Sequence, residues 1–310
     1  MSSISFYEFH NIYGFWGKKS IKKNVSFPQS GEKLINVSHN SIGIRENEIP
    51  DKSSKKRILA LGGSHTWGAA INSEDRYTNI LNKLTNYEFL NFGHCSLGLD
   101  QINIFIKNES LLYHPDLIII EQYPWSIHRI LNNYVNGYIR PHYVKNKEEI
   151  IFKKISYFHN FKLYRKIIGN YLAFKKDFNE FSNDIDIETK SGNIDPIYKY
   201  WTQFFYEEMY EICNYIIKQI QKFCIQNGIK LVFLVNAVKE EVFDISLSKL
   251  IDFSIPRTKL VDLLEENLIN YIDMSQSLIT HNKKETVMFS DGHINEIGNK
   301  LIANEIVLKL

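Results

Sequence analysis

From residue 57 to the C-terminus, short apolar runs of strand length alternate with segments whose apolar residues recur at helical spacing. Arg57 to Leu61 is the first buried strand. Ser73-Glu-Asp then offers a cap and two acids suited to a helix N-terminus, with the helix running to about Leu84. Tyr87 to Phe92 reads as a second strand, and Asp100 to about Leu112 as a helix with Ile102, Ile106 and Leu111 on its apolar side. Asp116-Leu-Ile-Ile-Ile-Glu121 is almost wholly apolar, as expected of a parallel strand covered on both faces. After a break the period returns: Trp201, Phe204, Phe205, Met209, Ile212, Tyr215, Ile216, Ile220 and Phe223 share one helical face, stopped by Asn227-Gly228. Ile229 to Val235 is a fourth strand, Lys259 to Asn267 a helix, and Ile269 to Met274 a short fifth strand. Asn295 caps a last helix with Glu296 in its first turn and Leu301, Ile302, Ile306 and Val307 inward. Strands alternating with helices predict a doubly wound α/β sheet.

Two stretches stand outside this rhythm. Residues 1–56 look irregular and end in the polar, basic hinge Asp51-Lys-Ser-Ser-Lys-Lys-Arg57, so they read as an arm preceding a single domain at 57–310. Residues 122–200 are rich in Tyr, Phe and Asn, with a helical patch at Phe161 to Phe174 and a polar stretch from Asn179 to Asn193. This reads as an aromatic-rich insertion over one end of the sheet. Its tyrosines, including Tyr134, Tyr138, Tyr143 and Tyr157, read as a small satellite core, with stacking on sugar rings as the functional alternative.

Composition removes several function classes. A chain of 310 residues buries a sizeable core, and a net charge of +2 is too small to argue for nucleic acid as a partner. Cys95, Cys213 and Cys224 lack metal-ligand spacing and leave one unpaired in any disulfide scheme, which fits a reducing compartment. The N-terminus lacks the basic and continuous apolar regions of a secretory signal, and the most apolar runs are too short to cross a membrane. The expectation is therefore a cytoplasmic protein without a membrane span, of unspecified oligomeric state. No phosphate-binding Gly-rich loop is present, and His and Asp are too dispersed for a catalytic metal, so neither cofactor nor metal is expected.

The candidate chemistry lies in two stretches far apart in sequence. Ile58-Leu-Ala-Leu-Gly-Gly-Ser-His-Thr-Trp-Gly68 carries a strand directly into a glycine-flanked serine, and in an open parallel sheet ligands sit at that carboxyl end. Ser64 is thus a candidate nucleophile. A serine hydroxyl attacks only if a base takes its proton, and Phe289-Ser-Asp-Gly-His-Ile-Asn-Glu-Ile-Gly298 supplies His293 just before the last helix. Asp291 is close enough to orient that imidazole and stabilise its charged form. His65 and His94 read as packing or solvated residues.

These motifs resemble the SGNH/GDSL hydrolase family, whose first block is a Gly-Asp-Ser motif after strand one and whose last block carries Asp and His before the final helix. Here the blocks read Gly62-Gly-Ser64-His-Thr-Trp-Gly68 and Asp291-Gly-His293. Asn91-Phe-Gly-His-Cys-Ser-Leu-Gly-Leu-Asp-Gln101 is similar to the second block, and Asn40-Ser-Ile-Gly-Ile-Arg45 to a lead-in of many bacterial members. The resemblance spans residues 40–303, apart from the insertion. It implies a three-layer α/β/α, flavodoxin-like sandwich with a mainly parallel five-stranded sheet. It further implies a serine esterase acting on an O-acyl group of a carbohydrate or another small ester. Departures accompany it: Gly63 replaces the family's Asp, the Asp-to-His spacing is shortened, and Ser96 falls at the oxyanion-hole glycine with Gly98 two residues on. In Glu121-Gln-Tyr-Pro-Trp-Ser-Ile-His-Arg129, Trp125 stands where the family has an oxyanion-binding Asn, and the indole of Trp125 or the ring of His128 is the expected substitute. His128 and Arg129 also read as binders of an anionic or sugar substrate, or as a solvated helix start. The alternatives are an O-acyltransferase using the same triad and an inactive carbohydrate-binding or assembly protein on the same scaffold.

Overall fold

The computed structural model describes residues 6–31, 33–135, 138–168, 207–243 and 252–309. Its strands are β1 (Tyr7–His10), β2 (Gly14–Gly17), β3 (Lys22–Ser26), β4 (Leu34–Ser38), β5 (Arg57–Leu61), β6 (Glu88–Asn91), β7 (Leu117–Gln122), β8 (Tyr134–Val135), β9 (Tyr138–Ile139), β10 (His142–Asn146), β11 (Glu149–Lys153), β12 (Lys230–Val235) and β13 (Asn270–Asp273). The helices are α1 (Ser64–Trp67), α2 (Tyr77–Leu84), α3 (Leu99–Asn108), α4 (Glu207–Gln226), α5 (Lys239–Val242), α6 (Ile255–Glu266), α7 (Ser275–Asn282) and α8 (Glu296–Lys309). Residues 162–168 are also helical.

Five strands form one sheet in the order β13-β12-β7-β5-β6, and every neighbouring pair is parallel. Read from the other edge, the strands follow the sequence order 2-1-3-4-5 of flavodoxin-like doubly wound sheets. The period of two along each strand divides the core between two faces. Leu59, Leu61, Ile118, Ile120, Phe233 and Val235 pack with α3, α4 and α6, whereas Ile58, Ala60, Leu117, Ile119, Leu234 and Ile272 pack with α2, α7 and α8. The molecule is therefore a three-layer α/β/α sandwich. The five sheet strands lie where the apolar runs predict them. Among the described residues no helix is long and apolar enough to cross a membrane.

Several local expectations require correction. The segment before residue 57 is not irregular throughout: among its described residues β1–β2 and β3–β4 are antiparallel hairpins, and 39–56 lack helix or strand. The alternation in β4, where only Ile35 and Val37 are buried, is the period-two signal, and it is hidden among Lys, Asn and Ser. The helix expected from Ser73 starts at Tyr77, because Ser73–Asp75 is a separate 3-10 turn and Arg76 is extended, its guanidinium buried and donating to Arg45 O. Helix α3 stops at Asn108, so Leu111 falls in another 3-10 turn and is exposed. Ile302 and Ile306 are buried in α8, but Val307 is exposed. Among the described residues after β7, a 3-10 helix at Pro124–Leu131 leads into the hairpins β8–β9 and β10–β11; Tyr143 joins the main core, while Tyr157 is exposed. Helices α1, α5 and α7 carry no long period and escape the pattern. Trp201, Phe204, Phe205, the end of the 161–174 patch and the polar stretch 179–193 lie outside the described residues.

Candidate active site

Strand β5 ends at Leu61, and the next two residues have to turn the chain sharply. A Cβ at Gly62 would lie 2.3 Å from Thr66 Oγ1 and 2.7 Å from Glu121 Oε2, so only glycine fits. The Gly63 N–H donates to Glu121 Oε2 at 3.2 Å, and Ser64 then opens α1. Gly68, in the left-handed region at φ +81°, closes it and donates to Ser64 O at 3.0 Å. From outside, Arg45 donates to the carbonyls of Trp67, Gly68 and Ile71 and lies over the Trp67 ring. The lead-in arm thereby fixes the end of the serine turn.

The last loop is held as tightly. Asn295 Oδ1 accepts the N–H groups of Ile297 and Gly298, each at 3.0 Å, and so caps α8 as expected. Its amide donates to Thr286 O, fastening the loop to the body of the protein. Phe289 N–H donates to His293 O at 2.7 Å, and Gly292, at φ +92°, lets the chain double back. Asp291 Oδ1 accepts the His293 backbone N–H at 3.1 Å while Oδ2 pairs with His293 Nδ1 at 2.8 Å. One oxygen fixes the turn and the other fixes the ring, which is why a spacing of only two residues suffices. His293 Nε2 stands 2.9 Å from Ser64 Oγ. The structure therefore brings Ser64, His293 and Asp291 into a continuous line. Burial pushes the Asp291 carboxyl upward, but the hydrogen bonds and charge of His293 outweigh it and hold the group below the usual carboxylate value.

Several flanking groups carry less obvious sequence signals. His65 stacks between Tyr123 and His293, with ring centroids 4.6 and 5.4 Å away. Burial first, then repulsion by His293 and Arg129, keeps its pKa well below the ordinary histidine value, so the ring is neutral. Glu121, at the end of β7, accepts from Gly63 N, Thr66 Oγ1 and Asn236 Nδ2, tying the first turn to the third and fourth strands of the sheet by sequence. Its position at the close of an apolar strand was the only signal for it.

The second block supports the serine turn as well. Asn91 donates to Thr66 O at 2.6 Å and to Thr78 Oγ1, and accepts from Gly93 N. Ser96 occupies the left-handed region at φ +65°. The Gly98 N–H is engaged by Gln101 Oε1 at 3.1 Å, and a Cβ at Gly98 would meet Arg140 Nη2 at 2.4 Å. Gly98 thus makes room for the fully buried Arg140–Asp100 ion pair. His94 is buried against Trp16, as a packing residue, and burial pulls its pKa down to about 3. In the third block Trp125 packs against the main core, and His128 Nδ1 pairs with Trp125 O. The next residue, Arg129, donates from Nη1 to Leu97 O at 3.1 Å, and a Cβ at Gly63 would lie 3.5 Å from the same nitrogen. Among the described residues there is no group of three or more His, Cys, Asp or Glu able to hold a metal ion.

No protein-family model matches the chain, and no curated protein matches it. Solved structures similar to it include an acetyl xylan esterase, at 13% identity over 82% of this chain and 99% of that one, with a TM-score of 0.47. A catalytic mutant of an acetylxylan esterase from Geobacillus stearothermophilus is similar at 9% identity over 84% and 96%, with a TM-score of 0.48. A member of the lipolytic G-D-S-L family from Veillonella parvula is similar at 13% identity over 82% and 97%, with a TM-score of 0.43. The strand order described above, rather than these likenesses, carries the fold assignment.

Proposed function

We propose that the chain is a divergent serine esterase of the SGNH/GDSL type that hydrolyses an O-acyl ester on a carbohydrate or another small molecule. The supporting observation is the line from Asp291 Oδ2 through the His293 ring to Ser64 Oγ, with steps of 2.8 and 2.9 Å. Both steps lie within hydrogen-bond reach, as a general base and its orienting group require.

In this reading Ser64 Oγ attacks the ester carbonyl as His293 Nε2 takes its proton. Asp291, ionised because its pKa is lowered, accepts the Nδ1–H and stabilises the imidazolium. The N–H groups of Ser64 and Ser96 receive the oxyanion. Collapse of the tetrahedral intermediate passes the proton from His293 to the departing alkoxide and leaves an acyl-serine. Water then attacks the acyl-serine, His293 takes a proton from the water, and its return to Ser64 Oγ releases the acid. The neutral His65 ring beside His293 adds no second positive charge when the imidazolium forms.

The test is hydrolysis of p-nitrophenyl acetate and of acetylated mono- and oligosaccharides by the wild-type chain and by Ser64→Ala. Free acetate produced by the wild type and abolished by the substitution supports hydrolysis. Acetate moving mainly to an added sugar acceptor would replace this reading with acyl transfer.

A further inference from the structure

The serine reading leaves one group beside the nucleophile without a task. Arg129 is partly buried, yet no carboxylate among the described residues lies within ion-pair distance of it, and its Nη1 donates to the Leu97 carbonyl at 3.1 Å. The acid that acts on it electrostatically is Glu121, which lies beyond ion-pair distance and is already engaged by Gly63, Thr66 and Asn236, so the guanidinium can take an anion at closer range. Burial first, and then repulsion by Arg140, pulls its pKa down to about 10, which leaves it charged at neutral pH.

Its position says which anion. On one side Nη1 would sit 3.5 Å from a Cβ at Gly63, the residue before the nucleophile. On the other it holds the carbonyl of Leu97, the residue after Ser96. The guanidinium therefore bridges the two turns that flank the place where an acyl oxygen would lie. The fixed fork of a guanidinium, with Nη1 anchored on Leu97, leaves its other N–H groups to point at a second acceptor.

Building on the serine esterase reading, we propose that Arg129 is the third oxyanion donor of this site, contacting the negative oxygen of the tetrahedral intermediate together with the N–H groups of Ser64 and Ser96. A positive donor makes a stronger hydrogen bond to an oxyanion than a neutral amide does. Its bond strengthens as the carbonyl oxygen gains charge, so its effect falls mainly on the chemical step rather than on ground-state binding.

The test compares wild type, Ser64→Ala, Arg129→Ala and Arg129→Lys in two assays, turnover of p-nitrophenyl acetate and the rate of labelling by a fluorophosphonate probe. Melting temperatures are followed in parallel. Arg129→Ala is expected to lower kcat about 10²–10³-fold, with KM nearly unchanged. It should slow labelling to a similar degree, with Arg129→Lys intermediate and added guanidinium restoring part of the loss to Arg129→Ala. If Arg129→Ala keeps kcat within threefold of wild type while Ser64→Ala is inactive, the proposal is wrong and the serine reading stands. A loss confined to KM, and seen only with esters that carry a carboxylate, would overturn it in favour of a substrate-anion pocket. A folded wild type that neither labels nor turns over overturns both. Should Arg129→Ala fail to fold, the Arg129→Lys labelling rate decides: parity with wild type together with no guanidinium effect on it contradicts the proposal, and slowing at an unchanged melting temperature supports it.

Discussion

His293 Nε2 and Ser64 Oγ stand 2.9 Å apart although 229 positions separate the two residues in the chain. Neither loop makes that meeting by itself. The serine turn is fixed by the absent side chain of Gly62 and by the contacts of Glu121 and Arg45, whereas the histidine turn is fixed by Asp291 and the Asn295 cap. The parallel sheet brings the two turns to the same end, because Ser64 follows its first strand and His293 precedes the helix that packs beneath it.

The orienting acid should matter nearly as much as the base. Asp291→Asn keeps the shape of the turn but removes the charge that selects the His293 tautomer, and it is expected to lower kcat by on the order of 10⁴-fold. Because the Asp291 pKa is lowered on folding, its contribution is present above the ordinary aspartate value and is lost as pH falls through the lowered one. Thermal unfolding followed from neutral to acid pH should show a smaller acid-linked loss in Asp291→Asn than in wild type.

His65 links stability to pH in a higher window. Its folded pKa lies well below 6.5, so the unfolded chain binds the proton more readily, and stability is present above 6.5 and declines as pH falls below it. Replacing it by Phe keeps a ring between Tyr123 and His293 and removes the titration. The melting temperature of His65→Phe between pH 7 and pH 5 is therefore expected to fall less than that of wild type.

Asp100 and Arg140 are both fully buried and paired, and Asp100 Oδ2 and Arg140 Nε and Nη1 have no hydrogen-bond partner among the described residues. Asp100→Asn leaves the guanidinium uncompensated, and a loss of about 3–5 kcal/mol in unfolding free energy is expected. The double replacement Asp100→Leu with Arg140→Met should cost less than the single one. Denaturant unfolding of wild type and the two variants tests this, and a double variant less stable than Asp100→Asn would contradict it.

Much of this arrangement was legible in the sequence, and the limits have physical causes. The three inner strands β5, β7 and β12 are apolar runs, and the long helix α4 repeats its apolar residues over five turns, so hydrophobic pattern locates them. Ser64, Asp291 and His293 stand out because glycines and a cap flank them. Glu121, His65 and the reach of Arg129 are set by tertiary packing, and no local spacing announces which buried polar group faces which. The N-terminal hairpins failed to register because β1, β3 and β4 leave most of their side chains at least partly exposed and the buried β2 is only the four residues Gly14-Phe-Trp-Gly17, leaving too few apolar positions to establish a period.

The claim that Ser64 is a nucleophile activated by His293 is tested most directly by covalent capture. Wild-type protein is treated with a fluorophosphonate, digested and mapped by mass spectrometry, beside Ser64→Ala and His293→Ala. The account predicts one phosphonyl adduct on the peptide containing Ser64 in the wild type, none in Ser64→Ala, and labelling slowed by several orders of magnitude in His293→Ala. A folded wild-type protein that remains unlabelled, or that labels equally fast without His293, would contradict it.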